Sequence, residues 1–314
     1  MCRERVAMLH SSAAFPLPPP IFTTFLDRLW SYGNDSLWSD LSVDGDGKWI
    51  GDSAIHGDLC IAHDGSYMVE KSLVLCSAGV IFYCRRTYLR LTVSITERSE
   101  AASNYRGELL GAVLALLILR AASEGCGVPS PPVLLHCDNR GVISHGNSPH
   151  MALSETQRQA DLIRLVKYLS SSSNCTPQWE WVEGHAVERK GWCRSTLPER
   201  MNHHADKLAK VSLLSAIDGG HTMDGDFPFE LVKLKLSGKR VRGSPREALE
   251  ADWGYRAARV LYDSKNIIRH EDFHLVWWDA LRSTMSSYPK NVSCVGDQAC
   301  IRLLWKQRPA PLLE

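Results

Sequence analysis

Short runs of β-branched and aromatic residues crowd the stretch from residue 58 to 95, and one long apolar run follows them. Leu59 to Ala62 is apolar and is followed by Asp64-Gly65, which reads as a strand stopping at a turn. SLVLCSAGVIFYC (72–84) and TYLRLTVSI (87–95) read as two further strands, the second largely alternating, so that a three-stranded meander is expected. SEAASNYRGELLGAVLALLILRAASEG then predicts a helix of about 20 residues, apolar nearly all round after Glu108, as in helices packed deep against a sheet. Val133 to Cys137, bounded by Pro131-Pro132, predicts a fourth strand with Asp138 directly after it. Ser154 to Leu169 opens with a capping-box match (Ser154, Gln157) and carries a stripe through Leu162, Leu165, Val166 and Leu169. Gln178 to Val182 alternates as a fifth strand, and Glu199 to Ile217 reads as a last helix stopped by Gly219-Gly220.

Outside that region the pattern weakens. LPPP at 17–20 is stiff and extended, and IFTTFLDRLWSY suits an amphipathic helix of two to three turns. SVDGDGKWIGD is turn-rich and lacks the ligand ladder and closing Glu of a calcium loop. Leu231 to Arg246 carries Lys233, Lys235, Lys239, Arg240, Arg242 and Arg246 with no acid, which suits either a phosphate backbone or a solvated linker. SPREALEADWGYRAARVLY and EDFHLVWWDALRSTMSSY read as two helices; His270 and His274 have i, i+4 spacing but no third ligand.

Composition narrows the class without choosing a function. The chain has 314 residues, 44% hydrophobic and 23% charged, as in an ordinary soluble globular protein. A formal net charge of +1 announces no polyanion partner, so any nucleic-acid footprint has to be local. No apolar run is long enough for a bilayer, and the prolines of AAFPLPPP break a signal-peptide core. The expectation is an intracellular protein, cytoplasmic or nuclear, not secreted and not in a membrane. Ten cysteines with no C-x-x-C spacing argue for free thiols and against structural zinc.

Four carboxylates stand at element junctions: Asp64 in IAHDGSY, Glu108 in SNYRGELLG, Asp138 in VLLHCDNRG and Asp206 in MNHHADKLAK. Clustered oxygen donors suit hard divalent cations, and two such cations can clamp both oxygens of an in-line phosphoryl displacement. Each residue also fits a plainer role: Asp64 in a turn, Glu108 on an exposed helix face, Asp138 as a helix cap, Asp206 paired with Lys210 at i, i+4.

In these motifs, residues 58–217 resemble a ribonuclease H domain of the kind found in retroelement polyproteins. The resemblance implies an α/β fold with a mixed five-stranded sheet, its first three strands antiparallel, flanked by helices. Around it, residues 1–57 are expected to form a partly irregular lead-in with one short helix, and residues 218–314 a basic linker and helical extension. Asp64, Glu108, Asp138 and Asp206 would be the metal-binding catalytic tetrad, holding two Mg2+ ions, or Mn2+. His185, after Gly184, would be the mobile loop histidine that assists product release or proton transfer. Gly65, Ser66, Asn104, Asn139 and Asn202 would lie at the substrate, Asn104 near an RNA 2′-hydroxyl. The implied activity is hydrolysis of the RNA strand of RNA–DNA hybrids, with a reverse transcriptase acting in trans, since the paired Asp-Asp of a polymerase does not occur in the chain. The same resemblance leaves open a silent nucleic-acid-binding module or a non-functional retroelement remnant. Tyr105 and the long stretch VERKGWCRSTLPERMNH depart from the compact cellular form, and HGNSPHMAL replaces the basic handle.

Overall fold

In a computed structural model, the residues described are 9–11, 24–33, 37–70, 73–99, 101–124, 130–154, 157–172, 174–223, 232–236, 239–242, 244, 246, 248–249 and 252. In chain order the elements are β1 (Leu9–Ser11), α1 (Phe25–Ser31), β2 (Ser42–Val43), α2 (Trp49–His56), β3 (Leu59–Glu70), β4 (Leu73–Cys84), β5 (Arg90–Arg98) and α3 (Asn104–Glu124). They continue with β6 (Ser130–Cys137), α4 (Arg140–Asn147), α5 (Ala160–Ser172), β7 (Cys175–Trp181), α6 (Ala186–Lys190), α7 (Leu197–Ile217), β8 (Val232–Leu236) and β9 (Lys239–Arg240).

The principal sheet runs β2-β5-β4-β3-β6-β7. Strands β3, β4 and β5 form the antiparallel meander, and β6 and β7 extend it in parallel on the other side of β3. Five of these strands are the expected ones; two-residue β2 adds a sixth at the β5 edge. The pleat divides the layers. Leu59 and Ile61 face a core shared with α3, whereas Cys60 and Ala62 pack with Met201 and Ala205 of α7. Helix α3 therefore covers one face of the meander and α7 the other.

Asp64-Gly65 does not end the first strand. Strand β3 continues to Glu70, with Asp64 opposite Gly79 and Gly65 opposite Ala78. These glycines serve close approach, each on its own face. A Cβ on Gly65 would lie 2.3 Å from the backbone nitrogen of Glu108, and one on Gly79 would lie 2.2 Å from the carbonyl of Ala205. Both obstacles are backbone and cannot swing aside. Gly65→Ala is thus expected to push α3 off the sheet, at a cost of about 1–3 kcal/mol in denaturant melts, and to move Glu108 with it.

Other boundaries shift for local reasons. Helix α5 starts at Ala160 rather than Ser154, because Gln159 takes a left-handed backbone conformation (φ 58°) and its side chain is engaged elsewhere. Its Nε2 donates to the Ala101 carbonyl at 2.8 Å and its Oε1 accepts from Arg106 at 2.7 Å. Helix α7 begins two residues early, where Thr196 and Glu199 form a reciprocal capping box.

The segment read as an irregular lead-in is more ordered than its pattern suggests. Helix α1 forms where expected, capped reciprocally by Thr24 and Asp27. SVDGDGKWIGD contributes the start of α2, and Phe25, Leu29, Trp38, Trp49 and Ile50 are buried in the same core as α3. Part of the basic segment is strand: Val232, Leu234 and Leu236 alternate with Lys233 and Lys235 in β8, which pairs with β1 and β9. That period-two pattern is legible but sits among turn residues. Contacts divide the chain into Met1–Ala248 and Leu249–Glu314. Of the two helices expected over 244–288, Arg246, Ala248, Leu249 and Asp252 are helical and the remainder lies outside the described residues, as do His270 and His274. Among the described residues no helix is long and apolar enough to cross a membrane. None of the described cysteines is in a disulfide, and all of them except Cys193 are buried.

Candidate active site

The register of β3 and β6 builds the site. Ile61 pairs with Leu135 and Ala62 with His136 in parallel, so the next two steps set His63 beside Cys137 and Asp64 beside Asp138. Alternation of the pleat puts these two pairs on opposite faces. Glu108, in the first turns of α3 and held against Gly65, reaches the same strand ends. Donor oxygens of Asp64, Glu108 and Asp138 all lie within 4.8 Å of one another. Asp206, from α7 on the Asp64 face, adds its charge to the field felt by Asp64 and Asp138.

This crowding is electrostatically costly. Burial, then the charges of Asp138 and Asp206, push the Asp64 carboxyl up to about 8. Burial, then Asp64 and Asp138, hold the Glu108 carboxyl well above the usual range. Asp138, half-buried, is raised by burial and Asp206 despite the opposing pull of His185. A side-chain hydrogen bond between Asp64 and Glu108 raises Glu108 further and opposes the rise at Asp64. Lys210 relieves part of the repulsion, donating to Asp206 Oδ2 at 2.7 Å, as its i, i+4 spacing allows. The donor set is all oxygen, which fits magnesium or manganese better than zinc.

The remaining expected residues separate into two groups. Asn104 is exposed at the first position of α3, one turn before Glu108, and Ser66 is half-buried two residues beyond Asp64. His185 is exposed, in a left-handed conformation (φ 54°), with Nδ1 2.8 Å from Glu188 Oε2. Glu188, His185 and Asp206 offer ligand atoms within 4.8 Å of one another. Gly65, Asn139 and Asn202, expected at the substrate, are otherwise engaged. Gly65 is buried under α3. Asn139 caps α4, its Oδ1 accepting from Gly141 N at 3.0 Å and Val142 N at 3.4 Å. Asn139, not Asp138, is therefore the helix cap. Asn202 is 2% exposed, and its Nδ2 donates to Asp64 Oδ2 at 3.1 Å.

Three residues of the site, Trp181, Arg140 and Gly184, were not singled out from sequence. Trp181, at the end of β7, is 50% exposed, donates from Nε1 to the Asp138 carbonyl at 3.1 Å, and lies 5.4 Å below the Arg140 guanidinium. QWEWV shows two tryptophans on one face, but not that Trp179 is buried while Trp181 runs past the covering helices. Gly184 is the third: a Cβ there would lie 2.3 Å from Asp138 Oδ2, so glycine lets the backbone before His185 lie against that carboxylate without displacing it.

An antiparallel meander extended in parallel by two strands, with acidic residues at the end of the β3–β6 seam and on α3 and α7, is the arrangement the motifs imply. The fold is ribonuclease H-like. No protein-family profile matches the chain, and no curated protein matches its sequence. Solved structures similar to it include the N-terminal ribonuclease H domain of a Mycobacterium tuberculosis protein, at 14% identity over 51% of this chain and 98% of that one, TM-score 0.33. A ribonuclease H1 in complex with an RNA/DNA hybrid is 12% identical over 51% and 99% of the two chains, TM-score 0.37. The ribonuclease H domain of a foamy virus is 14% identical over 49% and 93%, TM-score 0.36. Helices α1 and α2 pack onto the core that the meander shares with α3.

Proposed function

We propose that the ribonuclease H-like region is a metal-dependent endonuclease that hydrolyses the RNA strand of RNA–DNA hybrids, leaving 5′-phosphate and 3′-hydroxyl ends, and that it is of retroelement ancestry. The observation that carries the reading is the convergence of Asp64, Glu108, Asp138 and Asp206, from β3, α3, the end of β6 and α7, on one partly open, over-charged cluster. Ancestry, and a reverse transcriptase supplying hybrids in trans, rest on the resemblance of the motifs alone.

Asp64, Glu108 and Asp138 would hold the divalent ions, with Asp206 of α7 adding a fourth carboxylate. Once bound, such ions lower the pKa of an attacking water and neutralise charge on the leaving 3′-oxygen. The chain's own groups prepare the site. Asn202 fixes the Asp64 carboxylate, and Lys210 balances Asp206. Glu188 engages His185 Nδ1, which leaves Nε2 as the ring nitrogen able to exchange a proton near Asp138. Asn104 and Ser66 lie where a 2′-hydroxyl could be read, and Trp181 with Arg140 offers an aromatic and cationic shelf to a backbone or sugar.

Trp181→Ala is expected to weaken hybrid binding roughly 5- to 100-fold, the about 1–3 kcal/mol of one stacking contact, measured by fluorescence anisotropy, while leaving the carboxylates in place. The function itself is tested with end-labelled RNA annealed to DNA, beside RNA–RNA and DNA–DNA duplexes, in magnesium. The expected result is cleavage of the hybrid RNA only, lost in Asp138→Asn. Binding without cleavage by the wild type would identify a silent module instead.

A further inference from the structure

The register that pairs Asp64 with Asp138 also pairs His63 with Cys137 on the opposite face of the same two strands. Glu108 meets both pairs: ligand atoms of His63, Glu108 and Cys137 lie within 4.8 Å of one another, as do those of Asp64, Glu108 and Asp138. The first set is soft and nitrogen-bearing, the second all oxygen. We propose that His63, Cys137 and Glu108 form a buried site for a thiophilic divalent cation, zinc above all, which withdraws Glu108 from the hard-cation centre and so inhibits it.

Several independent observations support such a site. His63 is fully buried, and neither ring nitrogen has a hydrogen-bond partner among the described residues. A buried unpartnered imidazole is costly and calls for a ligand. A neutral imidazole offers one unprotonated ring nitrogen to a metal, the tautomer deciding which. Space for the ring is provided by Gly111, one turn after Glu108, where a Cβ would lie 2.8 Å from His63 Nδ1. Glycine inside so apolar a helix costs about 1 kcal/mol relative to alanine, and accommodation of His63 accounts for it. On the other side the ring meets Trp179 edge-on, with centroids 5.5 Å apart.

Cys137 Sγ lies 3.8 Å from Glu108 Oε2, to which the thiol donates, and accepts the Asn139 N–H at 3.2 Å. For zinc–sulfur and zinc–oxygen bonds of about 2.3 and 2.0 Å, a tetrahedral edge is about 3.5 Å, so the pair needs to close by only a few tenths of an ångström. Binding would expel the thiol proton and leave a fourth position open. Lack of C-x-x-C spacing, which argues against zinc in the sequence, does not apply, because strand pairing assembles these ligands from distant segments.

Cobalt(II) titrated into the metal-free full chain tests the site without reference to nuclease activity. A thiolate-to-cobalt charge-transfer band in the near ultraviolet is expected, absent in Cys137→Ala and weakened in affinity by more than about 10- to 100-fold, the cost of losing an outer-sphere partner, in His63→Leu. No band in the wild type, or an undiminished band in Cys137→Ala, overturns the proposal. If those variants lack native circular dichroism, X-ray absorption of the cobalt-loaded wild type decides: one sulfur with imidazole supports the site, and a shell without sulfur or with several sulfurs contradicts it. The inhibitory consequence rests on the nuclease reading. There, zinc should suppress magnesium-supported cleavage, and Cys137→Ala should shift that inhibition at least tenfold to higher zinc.

Discussion

Asp64→Asn is expected to abolish cleavage and, in the same protein, to raise the melting temperature measured without metal. The two effects share one cause. Asp64 is buried among Glu108, Asp138 and Asp206, and its folded pKa of about 8 lies above that of the unfolded chain, which is near 4. A carboxyl raised on folding contributes stability that is fully present below the unfolded pKa and lost as pH rises through the folded one. The metal-free wild type should therefore lose stability between about pH 4 and 8, with Glu108 and Asp138 acting in the same direction. Asparagine removes the charge while keeping an acceptor for Asn202, so the variant should gain about 1–2 kcal/mol at pH 8, roughly 2–8 °C in melting temperature. Magnesium should stabilise the wild type at that pH and the variant much less. Cleavage should fall on the order of 10³-fold or more, the several kcal/mol of transition-state charge that bound cations stabilise. A variant no more stable than the wild type at pH 8 would contradict the electrostatic picture of the cluster.

Arg106→Leu is expected to be the most destabilising single change. Arg106 is fully buried two residues before Glu108, and its guanidinium satisfies three elements at once. Nε donates to Glu97 Oε2 at 2.8 Å, Nη2 to Asp161 Oδ2 at 3.0 Å, and Nη1 to Gln159 Oε1 at 2.7 Å. Glu97 is itself fully buried and Asp161 nearly so. Leucine would leave Asp161 without its guanidinium and the fully buried Glu97 with only Arg242, 3.8 Å from its Oε1, and breaking a buried pair from one side costs about 3–5 kcal/mol. Denaturant unfolding should show that loss. The double change Arg106→Leu with Glu97→Leu should recover part of it, because the worst uncompensated charge is then gone. Equal stability of Arg106→Leu and wild type would mean that the network is not what anchors the start of α3.

The carboxylates were legible because each sits in a distinctive short context: Asp64 and Asp138 after apolar runs, Glu108 interrupting an apolar helix, Asp206 in a helix with Asn202 one turn earlier. Roles that depend on three-dimensional approach were not. Gly65 reads as a turn residue and is a contact point for the α3 backbone. Asn139 and Asn202 read as polar groups available to substrate, and are consumed by a helix cap and by Asp64. His63 and Cys137 each adjoin a predicted ligand, yet alternation turns them to the other face, and only the parallel register of β3 and β6 shows that they meet. Lys233 and Lys235 dominate a segment whose intervening Val232, Leu234 and Leu236 make it a strand.

Anomalous diffraction from crystals of the protein with manganese and an RNA–DNA hybrid tests the central claim most directly. Two manganese peaks are expected at the Asp64 carboxylate, about 3.5–4 Å apart, one shared with Asp206 and the other with Glu108 and Asp138, and with the RNA strand's phosphate between them. A hybrid seated elsewhere, or manganese found away from Asp64, would contradict the account.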